Sequence, residues 1–315
     1  LVHLLDVILK DKFMRSLQFD WPESPIQLIQ SPSIKKQKLI VRVKRDDLLH
    51  PTINGNKWRK LKYNLKSMYD SNKNAFITFS GAFSNHLYAS SIAAKLYNIK
   101  GHVILRGPNI DEKNPTIKMA RACNMKLHAV NRITYRQRND HEYQNEIRAQ
   151  FPNCYLIPEG GSNLAALKGV QELAQSLPKS DYIISPTGSG GTLAGLIDGS
   201  AATSIILGIA VLKNAEYLNQ DILTLSTKAK TQKNWQLLLD YHDGGYGKFS
   251  PELWLFCQNI RRTYNLPLEP IYSGKAFYAL WRLIDQGYFP AHSSITFVHT
   301  GGLQGLDGLR YRQLI

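Results

Sequence analysis

Metal and redox motifs are missing from this sequence. Its three cysteines, Cys123, Cys154 and Cys257, lie far apart, and neither C-x-x-C nor H-E-x-x-H occurs. Zinc chemistry and a disulfide framework are therefore unsupported, and no metal site is expected. Free thiols fit a reducing compartment, so a cytoplasmic protein is expected. No apolar run approaches the roughly 18 residues of a membrane helix. The longest, Ile205 to Leu212, is interrupted by Gly208. The opening LVHLLDVILK is too polar for a secretory core, since His3 and Asp6 break it. The chain begins on Leu1 rather than Met, and a few residues are expected to precede it. Gly-x-Ser-x-Gly is absent, which leaves a serine hydrolase without its turn.

Acid is scarce relative to base: 24 Asp and Glu against 39 Lys and Arg, a net charge of +15. Such a surplus points to nucleic acid, an anionic surface or small anions. The densest basic clusters, Lys35 to Lys38 and Arg132 to Arg138 (RITYRQR), are short and belong to no groove-reading motif. A nucleic-acid partner is not expected. The remaining totals, 43% hydrophobic and 20% charged over 315 residues, are those of an ordinary globular chain long enough for about two domains.

The first clear strand is KLIVRVK, Lys38 to Lys44, after a short amphipathic stretch and a turn-rich surface lead-in, WPESPIQLIQSPS. Strands then alternate with helices of about ten to fifteen residues: Ala75 to Phe79, HVILR, KLHAV, CYLIP, YIISP, SIILGIAV and finally ITFVHT. A helical region is expected to run to about Asp240. This alternation predicts an α/β fold of parallel sheets covered by helices on both faces.

In such sheets ligands collect at the turns after strands. Thr187-Gly188-Ser189-Gly190-Gly191-Thr192 lies between a strand and a helix. Its glycines let backbone N–H groups approach an anion, the helix start adds partial positive charge, and Ser189 and Thr192 offer hydroxyls, which together make a phosphate cup. The Gly-Lys-Ser/Thr ending of a nucleoside-triphosphate loop is absent, as is the dinucleotide spacing. Lys57 stands just after Asn54-Gly55-Asn56 at a predicted helix start. Positive potential there disfavours a protonated amine, and such a lysine can bond covalently to an aldehyde cofactor. A solvated surface lysine is the plain alternative. The turn Ser80 to His86 opens another helix, where Ser84 and Asn85 read either as caps or as holders of a carboxylate or phenolate oxygen. Glu159-Gly160-Gly161-Ser162-Asn163 reads as a cap.

Six motifs in order, Gly55 to Leu61, Ser84-Asn85-His86, Gly160 to Asn163, Thr187 to Thr192, Tyr272-Ser273-Gly274-Lys275 and His299-Thr300-Gly301-Gly302, resemble the pyridoxal-phosphate enzymes of the D-cysteine desulfhydrase and aminocyclopropane-carboxylate deaminase family. The resemblance implies fold type II, two lobes with the cofactor between them. The small lobe would be residues 58–151 and the large lobe residues 1–57 and 152–315. Pyridoxal 5'-phosphate would be attached to Lys57, which would also move the α proton. Gly188, Ser189, Gly190, Gly191 and Thr192 would hold the phosphate, Asn85 the phenolic oxygen, and Thr300 the ring. Ser84, Tyr246 and Tyr272 would face the substrate.

Deaminases of this family carry Glu where Ser273 stands and Leu where Thr300 stands, so the pair here is desulfhydrase-like. A hydroxyl rather than a carboxylate beside the pyridine nitrogen favours a neutral ring, adequate for losing a good β leaving group. The implied activity is β-elimination from a small amino acid, D-cysteine above all, giving pyruvate, ammonia and sulfide. Aminocyclopropane-carboxylate deamination, dehydration or racemisation on the same fold are the alternatives. Desulfhydrases often place Gln at Phe83, a departure that would remove a polar contact near the substrate carboxylate. A homodimer is the assembly the resemblance implies.

Overall fold

The computed structural model describes residues 23–315. The amphipathic stretch expected at the chain start lies outside them. Among the described residues ten strands form two sheets. The larger has the order β1 (Ile26–Ile29), β2 (Ile40–Lys44), β10 (Ser294–Val298), β7 (Tyr182–Thr187), β8 (Ile205–Ala210), β9 (Trp235–Leu238). Only β1 runs antiparallel to its neighbour. The smaller has the order β5 (Lys126–Val130), β4 (Lys100–Arg106), β3 (Ala75–Gly81), β6 (Cys154–Ile157), all parallel.

Sequence explains the layering. The strands β3, β7, β8 and β10 are almost continuously apolar and buried along nearly their whole length, as a parallel sheet clad on both faces requires. Helix Ser273–Asp285 covers the large sheet, with the Phe277 ring edge-on to Phe297 at 5.0 Å. Helix Gly55–Asp70 packs against helix Leu164–Gln175 so closely that a Cβ on Gly169 would lie 1.8 Å from the Arg59 carbonyl oxygen.

Three expectations need correction. The surface lead-in contains β1, an edge strand with Ile26 and Leu28 exposed and Ile29 buried. The helical region expected to reach Asp240 ends earlier, and Trp235–Leu238 is the outer parallel strand β9. The strand β6 pairs with β3, so the small sheet reaches past residue 151, where the sequence reading closes the small lobe. Among the described residues no helix is long and apolar enough to cross a membrane.

The last strand, β10, inserts between β2 and β7. This brings the segment after β10 against the start of helix Gly55–Asp70 and beside the glycine turn after β7. His299 is wholly buried and fixes that segment: its Nε2 meets the Pro267 carbonyl at 2.7 Å, and its Nδ1 accepts the Gly301 N–H at 3.1 Å.

Candidate active site

A cleft of about 600 Å³ opens where these segments meet. Of the residues singled out from sequence, Lys57, Ser84, Asn85, Gly188, Ser189, Gly190, Thr192, Tyr246, Tyr272 and Thr300 all line it.

Lys57 is the third residue of helix Gly55–Asp70. Gly55 has φ +65°, and a Cβ there would sit 2.0 Å from the Thr300 carbonyl oxygen, so only glycine fits. Asn56 N–H donates to that same oxygen at 3.3 Å. The Lys57 amine donates to Asn56 Oδ1 at 3.0 Å, and Asn56 Nδ2 donates to Thr192 Oγ1 at 2.8 Å. The amine is lowered to about 8, chiefly because burial disfavours its charge, with the Glu269 carboxyl drawing it back upward. Burial is a cause that the sequence reading, which invoked the helix-start potential, did not give.

The glycine turn has the geometry of an anion cup. Gly190 has φ +72° and precedes helix Gly191–Gly199; the Gly191 N–H donates to the Ser189 carbonyl at 2.9 Å, while Gly190, Thr192 and Leu193 at the helix start line the cleft. Gly191 itself packs beneath, where a Cβ would meet Ser162 Oγ at 2.6 Å. Ser189 Oγ and Ser162 Oγ are 2.8 Å apart. Lys60 Nζ donates to Ser162 Oγ at 2.8 Å and to the Gly160 carbonyl at 3.1 Å. Lys60 is held well below the usual lysine range, first by burial and then by neighbouring Lys57. An anion cup, a buried second lysine and a lysine poised near neutrality suit a phosphate and an aldehyde on one molecule.

Asn163 does cap helix Leu164–Gln175, accepting the Ala166 N–H at 3.0 Å. The same turn does more than the sequence reading gave it: Glu159, Gly160 and Ser162 line the cleft. Lys60 and Ser162 are thus site residues that sequence reasoning missed.

Ser84 caps helix Asn85–Leu96, its Oγ accepting the His86 N–H at 3.1 Å, and it also faces the cleft. The Asn85 amide lies against Gly302, where a Cβ would meet Asn85 Nδ2 at 2.5 Å. His86 is buried, with Nε2 2.8 Å from Thr78 Oγ1 and Nδ1 without a hydrogen-bond partner among the described residues; burial lowers it to about 3, so it is a neutral ring. Tyr246 and Tyr272 meet edge to face, ring centres 6.0 Å apart. Burial raises the Tyr272 hydroxyl well above its ordinary range, so it is a neutral donor. Lys275 anchors the Tyr246 loop by donating to the Gly245 carbonyl at 2.6 Å.

Two expectations fail at this site. Ser273 is wholly buried and its hydroxyl pairs with Glu269 Oε1 at 3.1 Å, so it does not line the cleft; Thr300 does. Phe83 also points elsewhere, against the C-terminal helix Gly305–Tyr311, with the Arg312 guanidinium 4.8 Å from its ring centre. Glu269, unremarked in the sequence, is the buried carboxyl behind the two tyrosines. It accepts the N–H groups of Ile271, Tyr272 and Ser273 at 2.7, 2.9 and 2.7 Å, and burial raises it to about 7.

Residues 22–301 match the family described as pyridoxal-phosphate dependent enzyme. A putative 1-aminocyclopropane-1-carboxylate deaminase of Pyrococcus abyssi is 31% identical over 95% of this chain and 94% of its own. A bifunctional D-cysteine desulfhydrase/1-aminocyclopropane-1-carboxylate deaminase of Arabidopsis thaliana, a mitochondrial protein, is 28% identical over 84% of this chain and 72% of its own. The crystal structure of an aminocyclopropane-carboxylate deaminase homologue superposes with a TM-score of 0.78 at 29% identity, covering 96% of this chain and 98% of the other. A tomato threonine deaminase shares the fold at a TM-score of 0.66 and 15% identity, covering 96% of this chain and 92% of its own. With a cleft whose lysine and anion cup suit its cofactor, the chain belongs to the pyridoxal-phosphate dependent enzymes of fold type II, in the family of the aminocyclopropane-carboxylate deaminases and D-cysteine desulfhydrases.

Proposed function

We propose that this lyase removes the α proton of a small amino acid and expels a β substituent, with D-cysteine the favoured substrate and pyruvate, ammonia and sulfide the products. One observation carries the cofactor-dependent lyase reading: the Lys57 amine, lowered to about 8, is tied through Asn56 to Thr192 of the anion cup. Pyridoxal phosphate, when bound, supplies an electron sink for the pair left behind by the proton.

The chain's own groups do the rest. The Gly188 to Thr192 turn binds the phosphate, and Lys60 adds a donor beneath it through Ser162. Lys57 attaches the cofactor and, once released by substrate, is the base for the α proton. Asn85 orients the phenolic oxygen and Thr300 borders the ring. Ser84 faces the substrate carboxylate. Tyr246 and Tyr272 border the β position, where neutral Tyr272 can donate a hydrogen bond or a proton to a leaving thiolate.

The names of the Pyrococcus and Arabidopsis relatives support a second reading, opening of 1-aminocyclopropane-1-carboxylate. The test is direct. Cofactor-loaded protein is incubated with D-cysteine and separately with the cyclopropane acid; pyruvate with sulfide supports the first reading and 2-oxobutyrate the second. Borohydride trapping followed by peptide mass analysis should place the adduct on Lys57, and an adduct elsewhere overturns both. A cytoplasmic homodimer accompanies this reading, in keeping with three free cysteines; light scattering of the purified protein checks the dimer.

A further inference from the structure

Beyond Lys57, the cleft wall is organised by Tyr135. Its side chain is 2% exposed, and its hydroxyl donates to Glu159 Oε1 at 2.8 Å. The guanidinium groups of Arg106 and Arg138 lie over its ring, 5.8 and 5.3 Å from the centre. Both arginines line the same cleft as Lys57. Arg138 is already neutralised: its Nε donates to Glu159 Oε2 at 2.5 Å, and Asp221 on the facing wall also feels its charge.

Arg106 differs. Among the described residues it has no carboxylate and no hydrogen-bond partner, only the ring contact and the close flank of Gly81, where a Cβ would lie 3.3 Å from Arg106 Nη2. It ends β4 as Gly81 ends β3, so both stand at the carboxyl edge of the small sheet, three residues before Ser84 in the latter case. An exposed guanidinium resting over a buried ring on the cleft wall, without a hydrogen-bond partner of its own among the described residues, has its planar fork of donors free for a carboxylate.

We infer that the natural substrate carries a carboxylate or similar oxyanion at the end of its β substituent, and that Arg106, steadied by Tyr135, holds that end. This rests on the β-elimination reading and extends it: D-cysteine is then a minimal substrate that leaves the outer cleft empty. In the elimination the Cα–H and Cβ–S bonds break, the proton goes to Lys57, and sulfur departs with the bonding pair. The distal carboxylate stays on Arg106 and takes no part in bond breaking.

The test compares S-carboxymethylcysteine with S-carbamoylmethylcysteine, near-isosteres that differ in charge, each as both enantiomers. Holoenzyme is assayed for kcat/KM of pyruvate release, and dissociation constants are taken by calorimetry. The acid is expected to be preferred at least tenfold, and Arg106→Gln to cut that ratio at least fivefold. A smaller preference, or a ratio that Arg106→Gln leaves intact, overturns the assignment. Should that variant fail to fold, Arg106→Lys replaces it, with a fall of at least threefold expected and a smaller one counting against. If no compound yields pyruvate while calorimetry retains the charge preference and its loss in the variant, the elimination reading fails and the role of Arg106 stands.

Discussion

Lys57 and Lys60 stand one turn apart on the same helix, and burial holds each below the ordinary lysine range. Lys57 faces the cleft, whereas Lys60 reaches under the glycine turn to Ser162 and Gly160. In the proposed function the pair divides two tasks, attaching an aldehyde and supporting an anion, between neighbours of identical chemistry.

Cofactor capture should follow the neutral fraction of Lys57. Only the unprotonated amine attacks an aldehyde, and its pKa is lowered to about 8. Stopped-flow absorbance of apoprotein mixed with pyridoxal phosphate is expected to show a rate that climbs through about pH 8 and levels above it. A rate still climbing tenfold per pH unit at pH 10 would mean an ordinary solvated lysine.

Replacing Lys60 by Met removes the donor to Gly160 and Ser162 while also removing a desolvated amine. Its apoprotein stability should therefore change by only about 1 kcal/mol, since the two effects oppose. The anion site loses the donor that orients Ser162, so the dissociation constant of pyridoxal phosphate is expected to rise about 10-fold. Equilibrium dialysis decides, and an unchanged constant would remove Lys60 from the anion site.

Gly55→Ala places a Cβ into the Thr300 carbonyl oxygen at a φ of +65°. Backbone meets backbone there, so neither side can swing away. A loss of about 3 kcal/mol or more is expected in urea unfolding, with weakened cofactor absorbance because Lys57 moves with the helix start.

Glu269 gives a pH signature. Burial raises its carboxyl from 4.5 to about 7. A carboxyl raised on folding binds its proton more tightly in the folded state, so its contribution is complete below about pH 4.5 and is lost as pH rises through about 7. Glu269→Gln lacks this dependence. The stability of the variant relative to the native chain should therefore improve between pH 5 and pH 8, by up to about 3 kcal/mol. Denaturant midpoints at the two pH values check it, and a constant difference would place the ionisation elsewhere.

What the sequence made legible was local. Lys57 sits within a contiguous Gly-Asn-Lys turn, and the Thr187 to Thr192 cup lies wholly between one strand and one helix, so each carries its chemistry in a few adjacent residues. The alternation of buried strands and helices was plain for the same reason. Lys60 and Ser162 were hidden because their contact joins positions about a hundred residues apart in the chain. Glu269 looked like any loop acid until the fold buried it against the N–H groups of Tyr272 and Ser273. The short β1 escaped because prolines bracket it and its outer residues face solvent, and β9 because lysines and polar residues crowd its approach.

The chain passes from the large sheet to the small one at Asn54 to Asn56 and returns at Glu159 to Asn163, and the two passages are bonded side by side. Lys60 reaches Gly160, and Asn64 Nδ2 reaches the Gly161 carbonyl at 3.2 Å while Asn64 Oδ1 accepts from Asn163 Nδ2 at 2.7 Å. Any recombination that exchanged the small sheet with that of a relative would have to cut next to Lys57 and through the turn that carries Ser162, residues to which the proposed function gives the cofactor. Diversification of substrate in this architecture is thereby steered toward single replacements around the rim, at positions such as Arg106, and away from wholesale shuffling of lobes.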